Sequence, residues 1–391
     1  MPVVREKRFL RVKLDMVGSC QIRCIMCHFA HPDFVMSKEQ MGLELLEKVA
    51  NDLFPRAHDV VLSSSAEPLM AKQLPRALEL CAEHGVPNFH FSTNGLSLTE
   101  TIADKVIEVG MPLITFSIDS ANKEVFERIR FPAKLDRVLS RFDLINERKK
   151  ALGSDKPEIS ATAVMMRSNI HTLPDLVRVM ADKGVKYMNF VHMAVMGGMG
   201  MEGESLINQP KLCNDTMDEV EAVARAVGIE CVIPIRLPEQ NADIDNSDVP
   251  ESDEGGGNAL IPDEDTATMS VDDYLNRKNR EFLLAAKQKT GHRRPCYFPW
   301  YYIHVNPTGT VFPCGSWHEH TEFGDFKTQN FEEIWTGPKF TELRQQLYHM
   351  ELRPTCANCA VSNMGRPDVK ASFAQRVKFR SRARTAAGIQ N

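Results

Sequence analysis

The sequence predicts an α/β fold of parallel strands joined by crossover helices, followed by a smaller cysteine-bearing module. Three observations predict it. Over the first two hundred residues, six short segments rich in β-branched and aromatic residues alternate with helical patterns. That alternation requires crossover connections, which join parallel strands. The chain has 391 residues, 43% of them hydrophobic and 25% charged, which is length for one large core and a smaller one.

The elements follow in order. RVKLDMV (11–17) is the first strand, and SKEQMGLELLEKVANDLF follows as a helix with Ser37 as its N-cap. HDVVLSS (58–64) and NFHFST (88–93) are the second and third strands. LTETIADKVIEVG is helical and ends at Gly110 as its C-cap. LITFSID (113–119), EISATAVMM (158–166) and YMNFVHM (187–193) complete the six. Six such units build an open sheet or a partial barrel, and both place chemistry at the C-terminal ends of the strands. From Leu237 to Asn276 the chain has 12 acidic residues, no basic ones and a GGG run, which reads as a solvated insertion. Its functional alternative is a lid, or a docking surface for a basic partner. YYIHVNPTGTVFPCG then reads as a hairpin turning at Asn306-Pro307-Thr308-Gly309, and NFEEIWTGPKFTELRQQLYHM as helical material leading to TCANC. The last stretch has seven basic residues against one acidic and reads as a solvated tail. The expected boundaries are a strand-helix domain over 8–235, an acidic insertion or linker over 236–290, a cysteine module over 291–365 and a basic tail over 366–391.

Composition narrows the function classes. The N-terminus has no apolar run of signal length and nowhere are there 18 uninterrupted apolar residues, so the expectation is a cytoplasmic protein with no membrane partner. A net charge of -5 argues against nucleic acid as a partner. Ten cysteines, several of them in short-spaced groups, fit metal ligation in a reducing compartment better than a disulfide framework.

Two cysteine groups carry the chemistry. GSCQIRCIMCHFA presents Cys20, Cys24 and Cys27 just after the first strand. A cubane iron-sulfur cluster or a tetrahedral zinc needs four ligands, so three leave one metal position open. Cys296, Cys314, Cys356 and Cys359 form a second group of four, whose spacing alone fits zinc as well as a cluster.

Spaced as CxxxCxxC after a first strand, Cys20, Cys24 and Cys27 resemble the cluster loop of the radical S-adenosylmethionine (radical SAM) enzymes. The resemblance implies a partial (β/α)6 TIM-like barrel over 8–235. It also implies a 4Fe-4S cluster whose free iron chelates SAM, and reductive cleavage of SAM to methionine and a 5'-deoxyadenosyl radical. SSAEP keeps Glu67 and Pro68 of the family's Gly-Gly-Glu-Pro stretch, which assigns Glu67 to the SAM amino group. Met26 stands at a position commonly aromatic in the family and near adenine. STNG, with Thr93 and Asn94, and SIDS, with Ser117 and Asp119, resemble the segments after strands three and four that approach SAM. Arg167 and Asn169 in VMMRSN stand where relatives approach it too.

The hairpin, the F-x-x-I-W helix and the CxxC pair resemble the C-terminal auxiliary-cluster modules called SPASM and Twitch. With four cysteines in the region, the shorter Twitch form with one fully ligated 4Fe-4S cluster is implied, giving two clusters in all. Among Twitch-bearing relatives the layout most resembles the 2-deoxy-scyllo-inosamine dehydrogenases, which oxidise a carbinol to a ketone. That likeness implies a small polar substrate and a flavodoxin- or ferredoxin-type electron donor. Related enzymes epimerise or dehydrate sugars, or modify ribosomal peptides. A first strand near residue 10, with no leader-recognition domain ahead of it, points toward the small substrate. A protein that only transfers electrons is the non-enzymatic alternative, and the open three-cysteine site argues against a purely structural role.

His192 and His318 are candidate acid-base residues. His28 and His31 follow the cluster loop. Cys81, Cys213 and Cys231 belong to neither ligand set and read as small apolar side chains, with hydrogen-atom donation as the functional alternative.

Overall fold

The computed structural model describes residues 8–63, 65–195, 199–234, 236–237, 296–315, 317, 321–349, 351–357 and 359. The acidic insertion beyond residue 237, the basic tail and His318 lie outside the described residues.

The six expected strands form within a few residues of their predicted bounds: β1 (Leu10–Leu14), β2 (Ala57–Leu62), β3 (Asn88–Thr93), β4 (Leu113–Ser117), β5 (Glu158–Met165) and β6 (Tyr187–His192). A short seventh, β7 (Glu230–Val232), pairs parallel with β6. Between them run α1 (Leu43–Leu53), α2 (Leu74–Glu83), α3 (Glu100–Glu108), α4 (Lys123–Ile129), α5 (Leu135–Ala151), α6 (Leu173–Asp182) and α7 (Pro210–Val227). Strands β1 to β7 lie side by side in chain order, every pair parallel. Each unit therefore steps in the same direction, and right-handed crossovers put all the helices on one face. The sheet so wound is the expected partial barrel.

Side-chain alternation separates its two faces. On the helix side Val12, Val60, Phe91, Ile114, Phe116, Ala161, Met188 and Phe190 are buried in one core with Leu46, Leu78, Val106 and Leu176 of the helices. The inner face is polar. There Lys13 neighbours Val61 and His90 follows, while Ser92, Thr115 and Ser160 share a row, with the Thr115 and Ser160 hydroxyls 2.7 Å apart. Hydroxyls, a lysine and an imidazole thus share this face with Val61 and Leu113.

Two local expectations meet different outcomes. Ser37 does not cap α1: Gly42 stands at the N-cap, and the Ser37 hydroxyl accepts the Glu39 N–H in a turn under Gly18. The strand-like bridge between Val17 and Gln40 holds that segment extended, so the helix starts later than its apolar pattern suggests. By contrast α3 begins at Thr99, whose hydroxyl accepts the Ile102 N–H, and stops before Gly110 at φ 64°.

The C-terminal half joins the same sheet. The predicted hairpin forms as β8 (Tyr302–Val305) and β9 (Thr310–Phe312), and β10 (Gly324–Asp325) adds to it antiparallel. In the turn, the Asn306 Oδ1 accepts the N–H groups of Thr308 and Thr310, and Gly309 takes φ 88°. Strand β8 pairs parallel with β1, Val12 against Ile303 and Leu14 against Val305, so the hairpin extends the barrel's first edge. Helices α8 (Phe331–Trp335), α9 (Pro338–His349) and α10 (Pro354–Ala357) follow, the first opened by a reciprocal Asn330/Glu333 capping box.

Candidate functional site

The three-cysteine loop leaves the C-terminal end of β1 and is gripped from both sides. On one side, Arg23 N donates to Phe131 O at 2.7 Å and Ile25 N to Ile129 O at 2.9 Å, which ties the loop to the end of α4. On the other, the Asn94 side-chain amide lies 3.7 Å from the Cys20 Sγ, and Gln21 bonds Asn94 and Ser97. Cys27 N donates to Cys24 O, closing a turn between the second and third cysteines. Met26 packs between the main core and a small cluster of Ile129, Met166, Met193 and Val195.

Glu67 is the hub of the next two strand ends. It is 3% exposed, and its carboxylate accepts the Thr93 hydroxyl, the Asn94 N–H at 2.9 Å and the Leu69 N–H at 3.2 Å. Burial pushes its pKa up, against the pull of those donors. Asn94 then links Glu67 to Cys20. Thus Glu67, Thr93, Asn94 and the first cysteine, singled out separately in the sequence, are brought together in one network. Just upstream, Ser63 is fully buried at φ 67°, a left-handed backbone that a side chain rarely adopts, as β2 turns into this loop.

Ser117 ends β4 in register with Thr162, on the inner face. Asp119 points elsewhere than a solvent-facing ligand would. It is fully buried, with Oδ2 2.7 Å from the Arg130 Nε and Oδ1 accepting the Val164 N–H. Asn169 is likewise committed to backbone: it accepts from Met166 N and donates to the carbonyls of Asp119 and Val164. Arg167 is exposed and its N–H bonds Glu204 O. Arg130 was not singled out by sequence. ERIRFP reads as the charged end of a surface helix, yet this guanidinium is buried, with Nη1 3.8 Å from the Cys24 Sγ.

The histidines also sort differently from expectation. His192 closes β6 with the parity of Met188 and Phe190, toward the helix side, and pairs with Met165. The structure instead brings in His304, on the inner face of β8 beside Lys13. Its Nε2 lies 2.8 Å from the Asp15 Oδ2, and the same Asp15 oxygen accepts the Ser65 hydroxyl at 2.7 Å. Strand alternation within YYIHV was the only signal that could have found it. His31 is buried and its Nδ1 accepts the Asp33 N–H, while His28 lies tilted against Phe29 and edge-on to Phe34. Cys81 and Cys213 are buried in α2 and α7, as small apolar side chains would be.

The second cysteine group lies around the N-terminal end of β8 and after β9. Cys296 is close enough to Cys359 for their charges to interact, and Cys314 does the same with Tyr302. Cys359 N approaches Cys356 O at 3.4 Å. Gly315 sits against the Tyr302 hydroxyl and the Lys13 ammonium, which brings this group to the edge of the polar inner face.

The donor chemistry fits iron-sulfur ligation. Burial pushes the Cys24 thiol up to about 12 and Cys296 to about 11, so ligation by either must expel a proton. The Cys20 and Cys24 sulfurs each face an N–H donor, the kind of partner a metal-bound thiolate uses. Among the described residues, no three Cys, His, Asp or Glu side chains converge on a point for a single ion. Sulfurs on a four-iron cube stand further apart than ligands of one ion.

Comparison with known proteins agrees with this reading of the two halves. Residues 15–180 match the radical SAM superfamily and residues 296–360 the SPASM iron-sulfur cluster-binding domain. The chain is 26% identical over 184 residues to the probable GTP 3',8-cyclase of Methanocaldococcus jannaschii, a match covering 46% of this chain and 57% of that protein. Streptococcus suis SuiB superposes with a TM-score of 0.58 at 12% identity, over 90% of this chain and 71% of SuiB. The enzyme anSMEcpe with bound AdoMet gives 0.58 at 15% identity, over 90% and 83%. These last two likenesses speak to the fold. A radical SAM domain implies SAM and a 4Fe-4S cluster, and a SPASM domain implies auxiliary iron-sulfur binding. No described helix is long and apolar enough to cross a membrane. The chain carries a radical SAM domain over residues 15–180 joined, through one continuous sheet, to a C-terminal SPASM iron-sulfur cluster-binding domain over residues 296–360.

Proposed function

We propose that this protein oxidises a carbinol of a small polar substrate, such as a sugar or aminocyclitol, to a ketone, with Cys20, Cys24 and Cys27 holding the SAM-binding cluster. In this reading Cys296, Cys314, Cys356 and Cys359 hold one auxiliary cluster. With a flavodoxin- or ferredoxin-type reductant, the first cluster supplies the electron that splits SAM into methionine and a 5'-deoxyadenosyl radical, which takes hydrogen from the carbinol carbon. Glu67 orients the SAM amino group, and Met26 packs near the adenine. His304, held by Asp15, takes the hydroxyl proton of the substrate radical. The remaining electron leaves to the auxiliary cysteine site, so the product is a ketone and the count of protons and electrons closes.

The observation that carries this reading is the hydrogen bond from β8 to the end of β1, His304 to Asp15. It supports the reading because an imidazole from the SPASM half lies at the rim where the three-cysteine loop begins, as proton transfer from a hydroxylated substrate would need. Along β8, roughly 10 Å of strand separates that rim from the level of Tyr302, where the second cysteine group gathers. Folded Cys314→Ala or Cys356→Ala protein that keeps its first cluster should still make 5'-deoxyadenosine but little oxidised product. Wild-type turnover in such a variant, or a redox-neutral product from the unaltered protein, would overturn the acceptor role.

The similarity to the Methanocaldococcus jannaschii protein favours a second reading, a radical cyclisation of a purine nucleotide. Incubation with GTP and SAM separates the two, because a cyclase consumes the nucleotide and a carbinol oxidase leaves it intact.

A further inference from the structure

The buried Arg130 is accounted for by neither substrate chemistry nor the helix it ends. Three features fix its place. The backbone bonds Arg23 N to Phe131 O and Ile25 N to Ile129 O set the cluster loop antiparallel to the end of α4, and that register puts Cys24 directly opposite Arg130. The Asp119 carboxylate holds the Nε end of the guanidinium at 2.7 Å, and Asp119 is itself anchored by the Val164 N–H at 2.8 Å. The free arm then reaches the Cys24 Sγ at 3.8 Å. Both charged side chains are shut away from solvent, 7% and 0% exposed. A guanidinium serving only as a carboxylate's partner would turn both prongs of its fork to it. Here the fork is split between a carboxylate and a sulfur.

We infer that Arg130 is a positioning residue that sets the reduction potential of the cluster ligated by Cys24, and this rests on the assignment of Cys20, Cys24 and Cys27 as its ligands. A cluster gains negative charge on reduction. A fixed positive charge donating a hydrogen bond to one ligand sulfur, with little water to screen it, stabilises the reduced form and raises the potential. At Cys20 the corresponding donor is the neutral Asn94 amide, so Arg130 is the charged member of the two donors. The split fork also makes the effect dependent on Asp119, which keeps the guanidinium from swinging away. Radical generation starts with electron entry into this cluster, so a residue that eases entry acts before any substrate chemistry.

The test is a midpoint titration of the first cluster, followed by electron paramagnetic resonance, on anaerobically reconstituted full-length protein in which Cys314→Ala silences the auxiliary signal. Two substitutions are compared with Arg130 intact. Arg130→Lys keeps the charge and loses the second arm. Arg130→Gln with Asp119→Asn removes both charges together, so that no lone buried charge is left and the Val164 N–H keeps an acceptor. The double variant should be at least tenfold harder to reduce, a shift of about 59 mV downward for a one-electron couple. Arg130→Lys should fall between the two and keeps the inference testable if the double variant does not fold. Equal midpoints in the double variant and its parent would overturn the inference, as would an unshifted Arg130→Lys where the double variant does not fold, or loss of the cluster from an Arg130→Lys protein that melts normally, since Arg130 would then serve assembly. A parent protein with no SAM-binding cluster at the three cysteines would sink the ligand assignment instead.

Discussion

Replacing Glu67 tests the hub of the SAM-side network, and its cost can be worked from the contacts. Glu67→Ala deletes the acceptor for the Thr93 hydroxyl and for the Asn94 and Leu69 N–H groups, at a position 3% exposed. Each buried donor left without a partner costs about 1–3 kcal/mol, and relief from burying a charge offsets part of it, so a net loss of about 2–4 kcal/mol is expected. Glu67→Gln is neutral and keeps one acceptor oxygen, so about 1–2 kcal/mol is expected there. The two arms separate structure from binding: Gln preserves the shape of the loop but removes the charge from the proposed contact with the SAM amino group. A charge-assisted bond of about 1.5–3 kcal/mol corresponds to a roughly ten- to hundredfold loss of SAM affinity by calorimetry. The pH dependence has a definite sign. A carboxyl whose folded pKa is raised contributes stability below its unfolded pKa, and that contribution is lost as pH rises through the folded value. Denaturant melts across the acidic range should therefore show this component in wild type and a flatter profile in Glu67→Gln. Glu67→Ala protein within about 0.5 kcal/mol of wild type would refute the hub argument, and unchanged SAM affinity in Glu67→Gln would remove the amino-group role.

The other predictions are more direct. Cys24→Ala should lose one cluster's worth of iron and all 5'-deoxyadenosine formation; SAM cleavage at the wild-type rate would contradict the ligand assignment. His304→Asn should leave 5'-deoxyadenosine formation in place while lowering ketone product by about 10²- to 10⁴-fold, the usual contribution of a positioned base. Equal loss of both products would mean that His304 holds the sheet rather than a proton. Gly309→Ala places a methyl 3.1 Å from the Leu45 Cδ1 at φ 88° and should destabilise by about 1–3 kcal/mol in a denaturant melt. A neutral result there would show that the turn relaxes.

Much of the fold was legible because it is local. Runs such as NFHFST and LITFSID carry their own strand signal, and Gly110 marks a helix end by the left-handed backbone it readily adopts. What local reading cannot supply is pairing. Nothing in ERIRFP announces a buried guanidinium, because its burial follows from the loop at Arg23 and Ile25 lying against it. The same holds for His304, whose partner Asp15 is 289 residues away. His192 sits at a strand's end, in the alternation set of Met188 and Phe190. The cysteine groups stood out for a third reason, their short regular spacing, and both fall inside the regions matching the radical SAM and SPASM families.

The pairing of β8 with β1 governs how the protein is born. β1 and all three cysteines of its loop are made well before β8, the strand that covers the outer edge of β1. At about 5–20 residues per second, that edge waits roughly 15–60 s with its N–H and C=O groups unpaired. An open strand edge is a template for pairing with another chain. Fragments ending before residue 296 should therefore associate through β1 on release. In the intact chain, completion of the SPASM hairpin is the step that removes the hazard.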